Sequence, residues 1–490
     1  MTLLGIIKKT FRFALADAGS VKARVFRSGI WVGLSGAIGS LLSIVRSIVL
    51  ARLLTPEMFG LMGLANIAMR TIETFTRPGI GQALIARQRE FDEASATAFT
   101  LLIGRGVLLA LGLAAAAPLV TRFYEADQLE PMLKMLSIVF VIGSLANINT
   151  IARQKEIDFR SLTYLSLTTD VLATILAITA AFWLRNVWAL VIGQVASVSI
   201  NALLSYCFIG GRMRVAFDWP IVKELMTYGK FITGSSIMMF VAAELDSAVL
   251  GKLVGIEEVG LYALAYTIAN LVTASLSKVV SSIMMPAYSK LQTDVAALRN
   301  AFLRSLSFIM FPILPISAGL ILVAEPLILV VYGEQWLPAV RGLQILALFG
   351  LLRSLASFTG YLFEGMGMPK IAFYIGSLRL LSVAPLIIPM VLWLGLAGAA
   401  ITATVGVAVQ WLAGLNYLRK HLAVSFGQIA ATLWRPIWTT VVMSAAVWLL
   451  MTAVKGDTIP GLLLLVGSGA MVYGLLNLRV LLDLRKEGFG

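Results

Sequence analysis

The chain has 490 residues but a single cysteine, Cys207, and a single histidine, His421. With one of each, no disulfide can close within the chain, and neither a Cys/His zinc site nor a Cys/His nucleophile pair can be assembled. No metal and no cofactor is expected. Charge is scarce too: 13% of residues are Asp, Glu, Lys or Arg, against roughly 25% in an ordinary soluble domain. No D-x-D sequence is present to hold a metal-bound nucleotide, and no phosphate loop follows an apolar strand. These gaps exclude self-driven ATP hydrolysis and count against a glycosyltransferase. The basic N-terminus (Lys8, Lys9, Arg12, Lys22, Arg24, Arg27) has no short apolar run ending in a small-residue cleavage site. Its first apolar span therefore reads as an uncleaved helix.

What the chain has in excess is apolar sequence. Hydrophobic residues make up 59% of it and mean hydropathy is +0.90. Its apolar runs reach the length of about 20 residues that a helix needs to cross the roughly 30 Å hydrocarbon layer. Spans are expected at 28–54, 57–82, 95–117, 131–152, 161–184 and 187–210. A second set follows at 220–252, 256–287, 300–323, 338–366, 370–394 and 396–418, with two more at 428–454 and 460–482. The net charge of +14 supports this count rather than a nucleic-acid partner. With the N-terminus inside, twenty-six of the 39 Lys and Arg fall on cytoplasmic segments, six on the opposite side and seven at membrane depth. That is the positive-inside bias, and it places both termini in the cytoplasm.

The chain also repeats itself. Residues 47–65 and 247–265 agree at nine of nineteen positions without a gap, including Glu57/Glu257 and Gly60/Gly260. A weaker echo joins 131–143 to 338–350. An offset of six helices is even, so the two copies cross the bilayer in the same direction, as parallel repeats do in several transporter folds. The expected architecture is an all-α integral membrane protein of about fourteen transmembrane helices. Two pseudo-symmetric six-helix lobes surround a central cleft, and two C-terminal helices follow. In segments this reads as 1–27 (cytoplasmic), 28–210 (first lobe), 211–219 (cytoplasmic linker), 220–418 (second lobe) and 419–490 (last two spans and the cytoplasmic C-terminus).

Several motifs resemble a known group. They are Arg27-Ser28-Gly29, the run Ser47–Gly60 ending in LARLLTPEMFG, Arg77-Pro78-Gly79-Ile80-Gly81 and Val331-Tyr332-Gly333-Glu334-Gln335-Trp336. Over roughly residues 25–420 the chain resembles the polysaccharide-transporter branch of the multidrug/oligosaccharidyl-lipid/polysaccharide (MOP) flippase superfamily, particularly Wzx-type O-antigen and exopolysaccharide repeat-unit flippases. The resemblance implies a bacterial inner-membrane transporter, with its first, second, seventh and eighth helices lining the cavity. The implied substrate is an undecaprenyl-pyrophosphate-linked glycan. Membrane lipids are the other expected partners, with the polymerase and co-polymerase of the same pathway as candidates; no nucleic acid is expected. The same fold serves multidrug antiporters and peptidoglycan-precursor flippases. A membrane polymerase is disfavoured by the short external turns.

Charge at membrane depth is costly and faces protein or a watery cavity. Ser35, Gly39, Ser43 and Arg46 recur at helical spacing as one polar stripe. Arg70, Glu73 and Arg77 share a face of the second span, where they line the cleft, neutralise one another or, for Arg77, snorkel. Arg353, Ser357, Gly360 and Glu364 share a face of the tenth. On the eighth, Asn270, Thr273, Ser277 and Ser281 form an uncharged stripe beside Lys278. Guanidinium groups suit a pyrophosphate because they bind it bidentately and stay charged when desolvated. The expected substrate-binding set is therefore Arg46, Arg70, Arg77, Asn270, Lys278, Arg353, Ser43 and Ser277. Asp246 stands at the repeat position of Arg46, which makes the two a candidate pair that opens and closes with the lobes. Asp246, Glu244, Glu73 and Asp170 form the expected coupling and gating set. Glu244 and Asp246, two residues apart, point to nearly opposite sides of their helix. Arg105 and Arg379 are alternative intralobe partners for Asp170. Gly33, Gly36 and Gly39 are expected in close helix packing, and Pro312 with Pro315 and Pro385 with Pro389 as kinks in the ninth and eleventh helices.

Overall fold

A computed structural model describes residues 21–76, 79–86, 91–211, 214–454 and 456–478. The side chains of 21–28, 30, 86, 228–236, 239, 271–283, 285–286 and 369 fall outside the description. Every regular element among the described residues is helical. In chain order they are α1 (Val21–Leu53), α2 (Pro56–Phe75), α3 (Ile80–Ala86), α4 (Phe91–Tyr124), α5 (Leu129–Ser144), α6 (Asn149–Lys155), α7 (Phe159–Leu184), α8 (Trp188–Ile209) and α9 (Trp219–Leu253). Then come α10 (Ile256–Leu291), α11 (Val295–Leu322), the single turn α12 (Ala324–Leu327), α13 (Val340–Gly365), α14 (Pro369–Leu422), α15 (Phe426–Ala453) and α16 (Ile459–Leu476).

Helices satisfy their own backbone, which is what hydrocarbon demands. Their outer faces are apolar and open: Trp183 is 86% exposed and Trp393 78%. Such side chains face lipid in a multi-pass membrane protein. Among the described residues nine helices are long and apolar enough to cross a membrane, or ten if the bent α5–α6 pair is one span. Fourteen spans were expected, and the difference has local causes. Helix α14 contains two expected spans, joined across Gly395, whose φ of 56° and ψ of −131° break the helix. Helix α2 occupies the place of another but carries Arg70 and Glu73, and α9 and α10 stand at two more, each partly outside the described residues that were counted. Prolines 385 and 389 sit inside α14 without being its break.

The expected span 131–152 is bent by 59° between α5 and α6. Fully buried Asn147 occupies the bend. Its amide donates to Gly210 O at 2.7 Å, its backbone N–H donates to Ser205 Oγ at 2.9 Å, and its Oδ1 accepts from Asn149 N at 3.0 Å. One side chain thus replaces the helical bonds that the bend removes, as a polar group in a membrane must.

The chain forms two compact units. Unit 1 takes the described residues of Met1–Leu54 and Ala65–Phe240; unit 2 takes those of Thr55–Leu64 and Val241–Gly490. In unit 1, α1 packs on α7. Ser35 Oγ and Ser166 Oγ lie 3.1 Å apart, Thr163 Oγ1 donates to the Trp31 carbonyl at 3.4 Å, and the Trp31 and Tyr164 rings are 5.5 Å apart. Gly39 belongs to this seam, but Gly33 and Gly36 meet nothing within 4 Å. The expected three-glycine packing surface is therefore one glycine wide.

In unit 2 the repeated turns meet. A side chain on Gly60 would collide with the Ile256 carbonyl, and one on Gly260 with the Pro56 carbonyl. Each glycine thus faces the residue that is its neighbour's counterpart at the 200-residue offset. Two motifs far apart in sequence also join here: Phe59 of LTPEMFG packs edge-on to fully buried Trp336 of VYGEQW, with centroids 5.1 Å apart and planes at 87°. Tilted and edge-on ring pairs of this kind add about 0.5–1.5 kcal/mol beyond burial.

Candidate functional site

Helix α10 carries Tyr262, Tyr266 and Asn270 at intervals of four, so they stack along one face. Asn270 Nδ2 donates to the Tyr266 carbonyl one turn back, at 2.8 Å. Asn270 Oδ1 faces α13, where it accepts from Arg353 Nη1 at 2.8 Å. The same nitrogen donates to Tyr266 Oη at 2.9 Å. Arg353 also lies against Phe349, one turn away on α13, with its guanidinium carbon 6.0 Å from the ring centroid. Arg353 is thus half-buried and held by one hydroxyl, one amide and one ring. Among the described residues no carboxylate touches it.

Behind this group lies a carboxylate. Asp246 is buried on α9; its Oδ1 accepts from Ser247 N at 2.8 Å and its Oδ2 accepts from Tyr262 Oη. The Tyr262 ring stacks on Tyr266 at 6.1 Å, and Tyr266 lies 5.7 Å from Phe349. Arg379 of α14 covers the Phe349 ring at 5.6 Å, close enough for its charge to act on Asp246. Its Nε is buried with no hydrogen-bond partner among the described residues. Glu244, half-buried, also lies within electrostatic reach of Tyr266 and Asp246. Unit 2 therefore holds two guanidinium groups, two carboxylates and three aromatic rings in one cluster.

Unit 1 has a simpler arrangement. Arg46 and Ser43 are partly buried on α1. Asp170 of α7 places Oδ2 3.4 Å from where a Cβ on Gly39 would be, within electrostatic reach of Arg46. Neither intralobe partner considered for Asp170 fills that role. Arg105 instead donates from Nε to the Thr76 carbonyl at 3.1 Å and from Nη2 to the Glu73 carbonyl at 3.0 Å. Arg379 belongs to unit 2. Arg70 and Glu73 are exposed on α2, as Glu364 is at the end of α13. Arg77 lies outside the described residues, and so do the side chains of Ser277 and Lys278.

The bonds of Arg105 yield an expected result. The last carbonyls of α2 have no partners within their own helix, and a guanidinium caps two of them. Arg105→Ala removes both charge-assisted bonds, at about 1.5–3 kcal/mol each, and Arg105→Lys restores at most one. Thermal unfolding of the purified chain in detergent should rank wild type above Lys above Ala. Equal midpoints would mean that α2 ends there without help.

The reading from sequence alone missed Tyr262, Tyr266 and Phe349. A signal was available: the polar stripe starting at Asn270 continues backward by fours to Tyr266 and Tyr262. The tyrosines read as apolar positions, although a buried Tyr hydroxyl normally finds a partner.

A helical membrane protein with a duplicated helix hairpin and, in each unit, opposite charges within electrostatic reach has an architecture that several transporter folds share. Residues 49–341, more than half of the chain, match the family described as "Polysaccharide biosynthesis protein", and the chain belongs to that family. The resemblance read from its motifs is borne out. It is 25% identical over 448 residues to the lipopolysaccharide biosynthesis protein WzxC of Escherichia coli strain K12, covering 89% of this chain and 90% of that one. It is 26% identical over 357 residues to the teichuronic acid biosynthesis protein TuaB of Bacillus subtilis strain 168, covering 72% and 74%. Its fold is similar to that of the lipid II flippase MurJ, a structure solved in an inward closed conformation. The TM-score is 0.73 at 15% identity, with 92% of this chain and 98% of that one covered.

Proposed function

We propose that this chain is a flippase that moves undecaprenyl-pyrophosphate-linked oligosaccharide repeat units across the bacterial inner membrane by alternating access. It would serve the assembly of an exopolysaccharide, O-antigen or capsule. The observation that carries the reading is Arg353. A guanidinium at membrane depth is expensive, and one paired with a carboxylate would have its charge neutralised. Here it is held by neutral partners, so its charge stays available to a phosphate while its orientation is fixed. Tyr266 and Asn270 give it shape, and their polar atoms suit sugar hydroxyls as well. In this reading Arg46, Arg70, Arg77, Lys278, Ser43 and Ser277 extend the cationic and polar lining. Fourteen spans with both termini cytoplasmic, as the basic bias indicates, complete the topology. The chain carries out transport and not bond making; the polymerase and co-polymerase of the pathway act downstream.

The test is a strain lacking the gene. Complete lipid-linked repeat units should accumulate on the cytoplasmic side, polymer should disappear, and the wild-type chain should restore it. Unchanged polymer with raised drug sensitivity would replace this reading by multidrug antiport.

A further inference from the structure

In unit 1 the cation stands on the first helix of the repeat and the carboxylate on the fifth. Thr163, Ser166 and Asp170 follow one another at spacings of three and four on α7. They face Trp31, Ser35 and Gly39 on α1, where Thr163 and Ser166 make their bonds and Asp170 abuts Gly39. Arg46 lies seven residues beyond Gly39 on the same stripe. Helical side chains lean toward the N-terminus, so its guanidinium reaches back toward Asp170. In unit 2 the signs are exchanged. Asp246, at the offset of 200 from Arg46, is on α9, the first helix of the second repeat. Arg379 is on α14, in the fifth span of that repeat. Asp170 is the twelfth residue of α7 and Arg379 the eleventh of α14, so they hold nearly the same register. Arg379 is held there by Phe349 on one side and by Gly406 on the other, where a Cβ would come within 3.3 Å of its Cγ. The aromatic series Phe349, Tyr266, Tyr262 leads from Arg379 to the hydroxyl that donates to Asp246.

We infer that Arg46–Asp170 and Asp246–Arg379 are two copies of one device with inverted polarity. In each, a fixed opposite charge on the fifth helix of a repeat positions the charged residue on its first helix. Asp170 and Arg379 are then positioning residues for transport rather than contacts to the substrate. Two features of the site support this reading. Each carboxylate already has a guanidinium of its own unit within electrostatic reach, and Arg379 Nε is buried with no hydrogen-bond partner among the described residues. The inversion also shows that either polarity fits between these helices. Tyr262 does not prevent an exchange, because its hydroxyl can accept from a guanidinium as readily as it donates to a carboxylate.

The inference rests on the transport reading, because its readout is polymer made per amount of chain in the membrane. Asp246→Arg and Arg379→Asp singly leave two like charges together at membrane depth. Each should lower polymer at least about tenfold, since an intramembrane charge without its counter-charge is strongly disfavoured. The double exchange Asp246→Arg with Arg379→Asp should return polymer to within about threefold of wild type, because pairing is restored. The same pattern is expected for Arg46→Asp, Asp170→Arg and their combination. A second comparison guards against poor insertion: Asp246→Asn with Arg379→Gln should unfold at a higher temperature than either neutral single variant. A double exchange that is absent from the membrane, or no better than its worse parent, overturns the inference. So does additive loss in the neutral set. Failure of the wild-type chain itself to restore polymer would instead sink the transport reading, so the two failures are distinguishable.

Discussion

Replacing Arg353 by alanine should lower polymer output roughly 10- to 100-fold while the chain still accumulates in the membrane. The size follows from a charged hydrogen bond being worth about 1.5–3 kcal/mol and from each 1.4 kcal/mol or so being tenfold in an equilibrium. Arg353→Lys keeps a cation but presents a point charge in place of a planar fork. It cannot satisfy Tyr266 and Asn270 and a phosphate oxygen with the same geometry, so an intermediate output is expected. Complete lipid-linked repeat units should build up in proportion to the loss, and that observation separates a failed carrier from a failed pathway. A merely structural Arg353 would give a different pattern. Its alanine variant would lose chain from the membrane, and the polymer made per remaining chain would stay near wild type. Measuring polymer, lipid-linked intermediate and chain level in the same cells decides between the two.

Much of this arrangement is legible in the sequence. The duplication at 200 residues located the turn at Gly60 and Gly260, and it paired Arg46 with Asp246 as equivalent positions. The stripe on the eighth span pointed to Asn270, and the tenth span to Arg353. What sequence could not supply was which faces meet. Helical spacing puts Ser35, Gly39, Ser43 and Arg46 on one stripe but does not say that Ser35 and Gly39 meet Ser166 and Asp170 on α7. Arg105 had no legible role because its partners are backbone carbonyls, which every residue has. The bend at Asn147 was hidden for a related reason. One asparagine in an apolar run costs a hydropathy profile little, yet its three hydrogen bonds are what let the span turn. Arg379 was weighed beside Arg105 as a partner for Asp170 and lies in unit 2 instead, since a charge pattern along one dimension carries no information on distance across a bundle.

The crossing at Gly60 and Gly260 should behave as one interaction with two equal halves. Helices α2 and α10 come so close there that a methyl group on Gly60 would overlap the carbonyl of Ile256, and one on Gly260 the carbonyl of Pro56. The colliding atoms are backbone, which cannot rotate aside as the tip of a side chain can. Either alanine must push the helices apart, and overpacking of this kind costs about 1–3 kcal/mol. Separation of the helices also loosens the contact beside it, where Val259 Cγ1 lies 3.3 Å from the Cβ position of Gly63 and Phe59 meets Trp336. Gly60→Ala and Gly260→Ala should therefore lower the unfolding midpoint in detergent by similar amounts. The double variant should lose less than the sum of the two, because helices already parted by the first methyl admit the second more easily. Gly60→Leu needs a far wider gap and should abolish both folded chain and polymer. Additive losses would mean that the two glycines sit at independent contacts. A Gly60→Ala chain as stable as wild type would mean that α2 and α10 do not approach as closely as their matched turns require.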